Sequence, residues 1–270
     1  MENLLLPSTV KFEETGNQNE GRVIIEPCYH GYATTVGNSL RRVLLSSLPG
    51  AAVTAVKIKG APHEFSTLEN VKEDVVEIIL NLKLLRLRCF SDGEVRLNLS
   101  VRGEKEVTAK DIDTTADVEI VNPELHLAEL TNKNAKLEME IFVARGRGYV
   151  PVEERRDQKL ELGVIAVDSI FTPVLNVGYK VDFIRVGDIT NFERLTLTIE
   201  TDGSVSPQAA LNQATTILLD HFNLIHQASP APETETMKQE EGSATEPAEP
   251  AEPSEKKPAK RGRPRKSAKS

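Results

Sequence analysis

The segment 206–227 constrains the fold of this chain most strongly, because its pattern predicts one helix with apolar residues on two sides. Ser206 followed by Pro207 is typical of a helix start, since serine caps the first turn and proline fits the first helical position. Mostly apolar residues then recur in two stripes, one at 211, 214, 218, 222 and 225 and the other at 210, 217, 221 and 224. A single sheet covers only one such stripe. The helix is therefore either buried on both sides or packed against another chain, and a homodimeric helix pair is our preferred interpretation.

Alternation of apolar and polar residues at period two predicts strands over 95–101, 137–143 and 195–199, with shorter ones at 23–25 and 56–58. Clean alternation is typical of antiparallel sheets that have one buried face. Two further helices are predicted, one from an N-cap at Asn38 to about Leu48 and one from about Asn70 to Leu84. Together these patterns predict an α+β fold.

Residues 231–270 have a different composition from the rest of the chain. They include no aromatic residue, and Met237 is their one large apolar residue, so we predict disorder over 229–270. Their charge is sorted: 233–255 holds eight Glu and one Lys, whereas 256–269 holds eight Lys or Arg and no acid. Since the whole chain has a net charge of −8 and this tail sums to +1, the body carries about −9.

The basic end contains Arg261, Gly262, Arg263 and Pro264, a run that resembles the AT-hook motif. A glycine between two arginines lets the backbone approach a surface closely, and extended arginines suit the narrow minor groove of A·T-rich DNA. A generic polybasic tail, which would bind any polyanion weakly, explains the same residues. Both interpretations stay open.

No assembled catalytic set is evident in the body. Asp111 and Asp113 are interpreted as a turn or a helix start, and Arg145 to Tyr149 as an exposed loop after a strand, serving either as a partner contact or as a plain turn. Cys28 and Cys89 are too few and too far apart for a disulfide scaffold or a metal site. We expect no catalytic or metal-binding residue, no cofactor and no membrane span, and free thiols suit the cytoplasm.

Five blocks of the chain resemble, in order, the N-terminal part of the bacterial DNA-directed RNA polymerase alpha subunit. The first is Thr35-Val-Gly-Asn-Ser-Leu-Arg-Arg-Val-Leu-Leu-Ser-Ser-Leu-Pro-Gly50. The others are His63-Glu-Phe-Ser-Thr67, Glu73-Asp-Val-Val-Glu-Ile-Ile-Leu-Asn-Leu-Lys83, Arg145-Gly-Arg-Gly-Tyr-Val-Pro151 and Phe171-Thr-Pro-Val-Leu175. The segment 201–227 fits as well, so the resemblance covers about residues 8–228.

The resemblance implies a discontinuous dimerisation domain of antiparallel sheet and helices over 1–49 and 170–228, with an inserted, mostly β domain over 50–169. A disordered linker and basic tail would follow over 229–270, where family members usually continue into a compact DNA-binding domain that we do not expect here. The implied function is a homodimeric scaffold in transcription, which recruits the beta and beta-prime catalytic subunits and lacks the active-site residues of this nucleotidyltransferase. The alternative is a stand-alone AT-hook-type DNA-binding protein.

The resemblance also assigns roles to particular residues. The beta subunit would be contacted by Arg41 and Arg42. A large subunit would also be contacted by Glu77, Lys83, Arg145 and Arg147. The first apolar stripe of the last helix supplies the predicted dimerisation residues Leu211, Ala214, Leu218, Phe222 and Ile225. Independently of that family, the AT-hook-like run Arg261, Gly262, Arg263 and Pro264 would supply a possible weak contact with A·T-rich DNA.

Overall fold

The structure is a computed structural model that describes residues 5–155, 161–187 and 189–228, all within the compact unit Met1–Ser229. The helices in these residues are α1 (Tyr32–Ser46), α2 (Val75–Lys83) and α3 (Pro207–Ala228). The strands are β1 (Thr9–Glu14), β2 (Glu20–Cys28), β3 (Pro49–Ile58), β4 (Leu87–Cys89), β5 (Val95–Arg102), β6 (Lys105–Thr108), β7 (Ile112–Asp113), β8 (Val118–Ile120), β9 (His126–Leu130), β10 (Lys136–Arg147), β11 (Tyr149–Val150), β12 (Val164–Ala166), β13 (Ser169–Ile170), β14 (Val174–Val186) and β15 (Ile189–Thr201). The tail assigned to 229–270 lies outside the described residues.

The two ends of the described chain meet in a four-stranded antiparallel sheet of order β1-β2-β15-β14. Helices α1 and α3 pack against this sheet, and we call the assembly the small-sheet lobe. Its core includes Val23 on β2, Leu44 on α1, Leu197 on β15 and Ala210 on α3, each with no exposed surface. The lobe therefore depends on contacts between segments that are far apart in sequence.

The segment between these ends forms a second core around a seven-stranded sheet of order β7-β5-β10-β3-β4-β8, with β12 also paired to β3. All of its strand pairs are antiparallel. Helix α2 adds Val75, Ile78, Ile79 and Leu82 to the core. We call this part the large-sheet lobe. The domain boundaries proposed at residues 49/50 and 169/170 stay a prediction.

The predicted α+β fold is confirmed, and so are the antiparallel sheets. The alternation over 95–101 corresponds to β5, where Leu97, Leu99 and Val101 are buried and the intervening residues are exposed. Helix α3 matches its prediction closely, since it begins at Pro207 and the Ser206 hydroxyl accepts a hydrogen bond from the Ala209 amide at 3.3 Å.

The predicted starts of the first two helices are wrong. Helix α1 begins at Tyr32, so the expected cap Asn38 lies inside it. The neighbouring Gly37 is a packing residue, because a Cβ there would lie 2.9 Å from the Leu195 side chain of the sheet below. Helix α2 begins at Val75 because the Asp74 carboxylate caps it, accepting a hydrogen bond from the amide of Glu77, the third residue of the helix.

The chain crosses between the lobes twice, and the two crossings touch. The first crossing is the start of β3 and the second is the segment 171–174 that leads into β14. A Cβ added to Gly50 would lie 1.8 Å from the Phe171 carbonyl oxygen. The Phe171 ring also covers Gly146, where a Cβ would lie 2.7 Å from the ring. Only glycine at positions 50 and 146 allows this close contact.

We expect Gly50→Ala to lower the free energy of unfolding by about 1–3 kcal/mol, because the new methyl group meets a backbone carbonyl that cannot rotate away. Urea denaturation followed by circular dichroism measures the loss. Gly178→Ala is the matched control, since a Cβ on that exposed strand glycine meets nothing within 4 Å. Equal stabilities of the two variants would contradict the proposed packing at the crossing.

Candidate assembly surfaces

Arg41 and Arg42 lie on α1 in the small-sheet lobe, and both side chains are exposed. Within the described residues, neither guanidinium forms a hydrogen bond or an ion pair. Arginine keeps its charge at any physiological pH and presents a planar set of donors that fits carboxylates. The two side chains can therefore bind a partner without breaking a hydrogen bond or an ion pair to another described residue.

The start of α1 is held by a residue from β15. The helix follows Gly31, which has φ 83° and no side chain to cap the first turn. The Glu193 carboxylate takes that role, since Oε1 accepts from the Gly31 amide at 2.9 Å and Oε2 from the Ala33 amide at 3.2 Å. Glu193 is 4% exposed, and its negative charge complements the helix dipole.

Sequence reasoning missed Glu193, because no local signal marks a cap that comes from 160 residues away. The carboxylate also affects a neighbouring cysteine. Burial, assisted by the negative charge of Glu193, raises the pKa of the Cys28 thiol. Because a thiol with a raised pKa is seldom ionised and this one is 2% exposed, Cys28 acts as a core residue.

The structure divides the predicted dimerisation stripe of α3 by exposure. Ala214 is fully buried in the core of the small-sheet lobe, and Leu211 and Leu218 pack partly against the same core. In contrast, Phe222 and Ile225 are 60% and 65% exposed. The first half of the stripe is thus covered by the chain's own sheet, whereas the second half is bare.

Two leucines near the end of α3 are also exposed. Leu224, from the second stripe, is 66% exposed, and Leu219, which belongs to neither stripe, is 55% exposed. We call these two leucines, together with Phe222 and Ile225, the α3 apolar end. Contiguous exposed apolar surface on a folded protein typically marks an interaction site.

On the large-sheet lobe, Lys83 at the end of α2 is linked to the segment after β11. Its ammonium nitrogen lies 3.0 Å from Asp168 Oδ2, and Asp168 Oδ1 accepts from the Val152 amide, also at 3.0 Å. The hydrogen bond from Lys83 lowers the pKa of Asp168. Asp168 was not predicted, because nothing in the sequence pairs it with α2. Glu77 is exposed on the first turn of the same helix.

The predicted exposed loop at Arg145 to Tyr149 is wrong in its first half. Residues 145–147 continue strand β10, where Arg145 pairs with Ala51 and Arg147 with Pro49 of β3. The turn comes only at Gly148, which has φ 64°. Both arginine side chains are exposed, and Arg145 Nη1 lies 2.8 Å from Asp92 Oδ1. Pairing with β3 and the cover of Phe171 over the intervening glycine explain the extended conformation.

A cavity of about 470 Å³ lies beside Glu77, and His126 lines it. The His126 Nε2 atom is 3.0 Å from Glu73 Oε1, and Nδ1 is 2.9 Å from Glu106 Oε1. A neutral imidazole can donate from only one nitrogen, so this geometry favours the charged ring. The hydrogen bond with Glu73 accordingly raises the pKa of His126. Burial opposes ionisation of Glu73, but the Glu129 amide and His126 outweigh it and lower the pKa of Glu73.

Two kinds of site are not found in the part of the chain that the structure describes. No group of three histidine, cysteine, aspartate or glutamate side chains there is arranged to hold a metal ion. No helix there combines the length and hydropathy that crossing a bilayer requires. The predicted DNA-contact residues 261–264 lie outside the described residues.

We expect the contribution of His126 to stability to depend on pH. Because its folded pKa is above the ordinary value of 6.5, the contribution is complete below that value and is lost as the pH rises through the folded pKa. At acid pH the contribution is lost when the Glu73 carboxylate becomes protonated, which occurs below pH 4.5 because the folded pKa of Glu73 is lowered from 4.5. The expected size is only a few tenths of a kcal/mol to about 1 kcal/mol, since the ring is 40% exposed.

The test compares the free energies of unfolding of the unchanged chain and His126→Gln at about pH 6 and about pH 9. The difference should be larger at the lower pH. His63→Gln is the control, because that ring contacts the Ser66 hydroxyl instead of carboxylates. A His126→Gln difference that is constant with pH would show that the ring is not held as a cation.

Comparison with known proteins identifies the family of the chain. Residues 56–172 match the family described as the RNA polymerase Rpb3/RpoA insert domain. The DNA-directed RNA polymerase subunit alpha of Symbiobacterium thermophilum is 52% identical over 222 residues, which are 82% of this chain and 70% of that protein. The predicted resemblance is confirmed, and the alternative of a stand-alone AT-hook protein is not favoured. The chain belongs to the family of the alpha subunit of DNA-directed RNA polymerase.

Proposed function

We propose that this chain serves transcription as a homodimeric scaffold, which recruits the beta and beta-prime subunits to form RNA polymerase. The identity of 52% to an alpha subunit across most of the body carries the proposal. Catalysis would then be the task of the large subunits.

The α3 apolar end supports self-association. Its four large apolar side chains are between 55% and 66% exposed on the isolated chain. Helix α3 spans about 30 Å along its axis, which is long enough to pack one half on its own lobe and the other half on a second copy. A second copy is the simplest partner, since a symmetric pair covers the same surface on both chains at once.

Arg41 and Arg42 support the contact with beta. They lie on the lobe that carries the α3 apolar end, and both are free of contacts within the described residues. A protein surface that offers carboxylates or backbone carbonyls to two neighbouring guanidinium groups would fit them. Arginine is also enriched among the residues that contribute most to binding at protein interfaces.

The four residues proposed to contact a large subunit differ in their availability. Lys83 and Arg145 are already paired, with Asp168 and Asp92 respectively. Glu77 and Arg147 are exposed and have no such side-chain partner among the described residues. We therefore propose Glu77 and Arg147 as the charged contacts on the large-sheet lobe. A contact between the tail and A·T-rich DNA remains a prediction from sequence.

Phe222→Asp is expected to dissociate the homodimer. The side chain is 60% exposed in one chain, so the substitution spares the monomer fold, whereas in the pair it would bury an unpaired charge. The loss should be at least about 2 kcal/mol, or roughly 30-fold in Kd. Sedimentation equilibrium measures it. Phe65→Asp is the control, because that phenylalanine is 78% exposed on the other lobe. An unchanged dimer in Phe222→Asp would refute the assignment of this surface.

Arg42→Ala is expected to weaken capture of the beta subunit by about 2 kcal/mol, while the homodimer stays intact. Arg102→Ala is the matched control, because Arg102 is an exposed arginine on β5 of the large-sheet lobe. Titration of labelled beta with each purified dimer gives the affinities. If Arg42→Ala and Arg102→Ala bind beta equally well, α1 is not the beta contact.

A further inference from the structure

Arg88 on β4 extends from the large-sheet lobe to the turn that joins β15 to α3 in the small-sheet lobe. Its Nε donates to the Ser204 carbonyl at 2.6 Å, and its Nη2 donates to the Gly203 carbonyl at 2.9 Å. Its Nη1 is 3.3 Å from Glu119 on the neighbouring strand β8 of its own lobe. One guanidinium group therefore bonds to both lobes.

The turn that receives Arg88 is itself well fixed. The Asp202 carboxylate accepts hydrogen bonds from the Ser204 amide at 2.8 Å and the Ser204 hydroxyl at 2.5 Å. The Asp202 amide donates to the Pro173 carbonyl at 3.0 Å. The side chain of Asp202 is only 8% exposed, and Arg86 Nε lies 4.0 Å from it. Arg86 immediately precedes β4 and lies two positions before Arg88, and both side chains approach this turn.

Close packing supports these polar contacts. Gly203 has φ 87°, and a Cβ there would lie 3.3 Å both from the Val121 side chain and from the Asn19 side-chain oxygen. Val121 follows β8 of the large-sheet lobe, and its amide donates to the Arg86 carbonyl at 2.9 Å. Asn19 belongs to the small-sheet lobe, where its carbonyl accepts from the Thr201 amide. The turn is thus enclosed by residues of both lobes.

The mechanical importance of this contact follows from the chain crossings. The two covalent crossings touch at Gly50 and Phe171, so by themselves they form one pivot. A pivot at one point permits bending and rotation of one lobe against the other. Arg88 adds an attachment on β4, the strand next to β3, where Leu87 pairs with Ala51. This attachment reaches another segment of the small-sheet lobe, the turn at residues 202–204, so it restricts rotations that the two crossings alone allow.

We propose that Arg88 is a positioning residue, which fixes the large-sheet lobe on the small-sheet lobe by clasping the turn at residues 202–204. Arginine suits this task because its donors lie in a rigid plane and point in different directions, which the single ammonium group of lysine cannot reproduce. The turn leads directly into α3, so the same clasp also fixes the start of that helix. The consequence for assembly rests on the proposed function: both sets of partner contacts would be held at a constant separation.

The test measures the distance between the lobes in the full chain. Spin labels are attached to cysteines introduced at Lys11 on β1 and Lys133 beside β10, both of which are exposed, with Cys89→Ser removing the more accessible native thiol. Doubly labelled chains are mixed with an excess of unlabelled chains, so that each homodimer carries one labelled pair. Double electron–electron resonance spectroscopy then gives the distribution of distances between the two spin labels within one chain.

We expect one narrow distance distribution for the otherwise unchanged chain, and loss of that narrow distribution in both Arg88→Lys and Arg88→Ala. The lysine variant keeps a positive charge near Glu119, so its fold is preserved and it can be measured even if the alanine variant does not fold. Arg96→Ala is the control, because its ion pair with Glu140 lies within the large-sheet lobe. An unchanged narrow distribution in the folded Arg88→Lys chain would overturn the proposal.

A second measurement separates this proposal from the proposed function. The same Arg88→Lys dimer is titrated with labelled beta subunit, and we expect weaker capture together with the broadened distances. Broadened distances with undiminished capture would overturn the consequence for assembly while leaving Arg88 as the clasp. Failure of the proposed beta contact would instead appear as unchanged beta binding by Arg42→Ala. That measurement does not depend on the distance between the lobes.

Discussion

The rest of the structure depends on the antiparallel pairing of β2 with β15, which brings the two ends of the body together. Leu195 pairs with Ile25 and Leu197 with Val23, and three of these four residues, Val23, Leu195 and Leu197, have no exposed surface. The entropy cost of closing a loop rises only with the logarithm of its length, so a long insertion between paired strands adds little to that cost. The large-sheet lobe can therefore be inserted in the chain between β2 and β15 at little cost to the small-sheet lobe.

The same pairing places the polar groups that organise the surfaces. It sets Glu193 beneath the start of α1, where the carboxylate accepts from the Gly31 and Ala33 amides. It also ends β15 at the turn that receives Arg88. The Glu193 carboxylate is buried, and a buried charge is costly unless it is hydrogen bonded, so its contacts with α1 stabilise the closed sheet. The start of α1 and the turn that Arg88 bonds thus both depend on β15.

Local signals allowed prediction of some elements, and long-range contacts decided the others. Helix α3 was predictable because Ser206 and Pro207 mark its start within the sequence itself. The start of α1 was not, since its cap is Glu193, and Gly37 resembles a boundary although it serves packing. Among the candidate contacts, the apolar pattern placed Arg41 and Arg42 on a helix, the family resemblance implied their contact with beta, and the structure shows both exposed. No pattern in the sequence around Lys83 or around Asp168 predicted that these two side chains would pair.

The arginines of the chain fall into groups according to what already binds them, and this decides which can serve a partner. Arg88 donates to the Ser204 and Gly203 carbonyls, whereas Arg155 donates to the Thr54 carbonyl, which also accepts from the Val167 amide. Using Arg88 at an interface would remove its hydrogen bonds to these two carbonyls, and an unsatisfied buried carbonyl costs about 1–3 kcal/mol. Arg41, Arg42 and Arg147 carry no such cost, because no contact with a described residue must be broken first. The arginines without such bonds are therefore the ones that we propose for partner contacts, and Arg88 is the one that we propose to maintain the geometry in which they are presented.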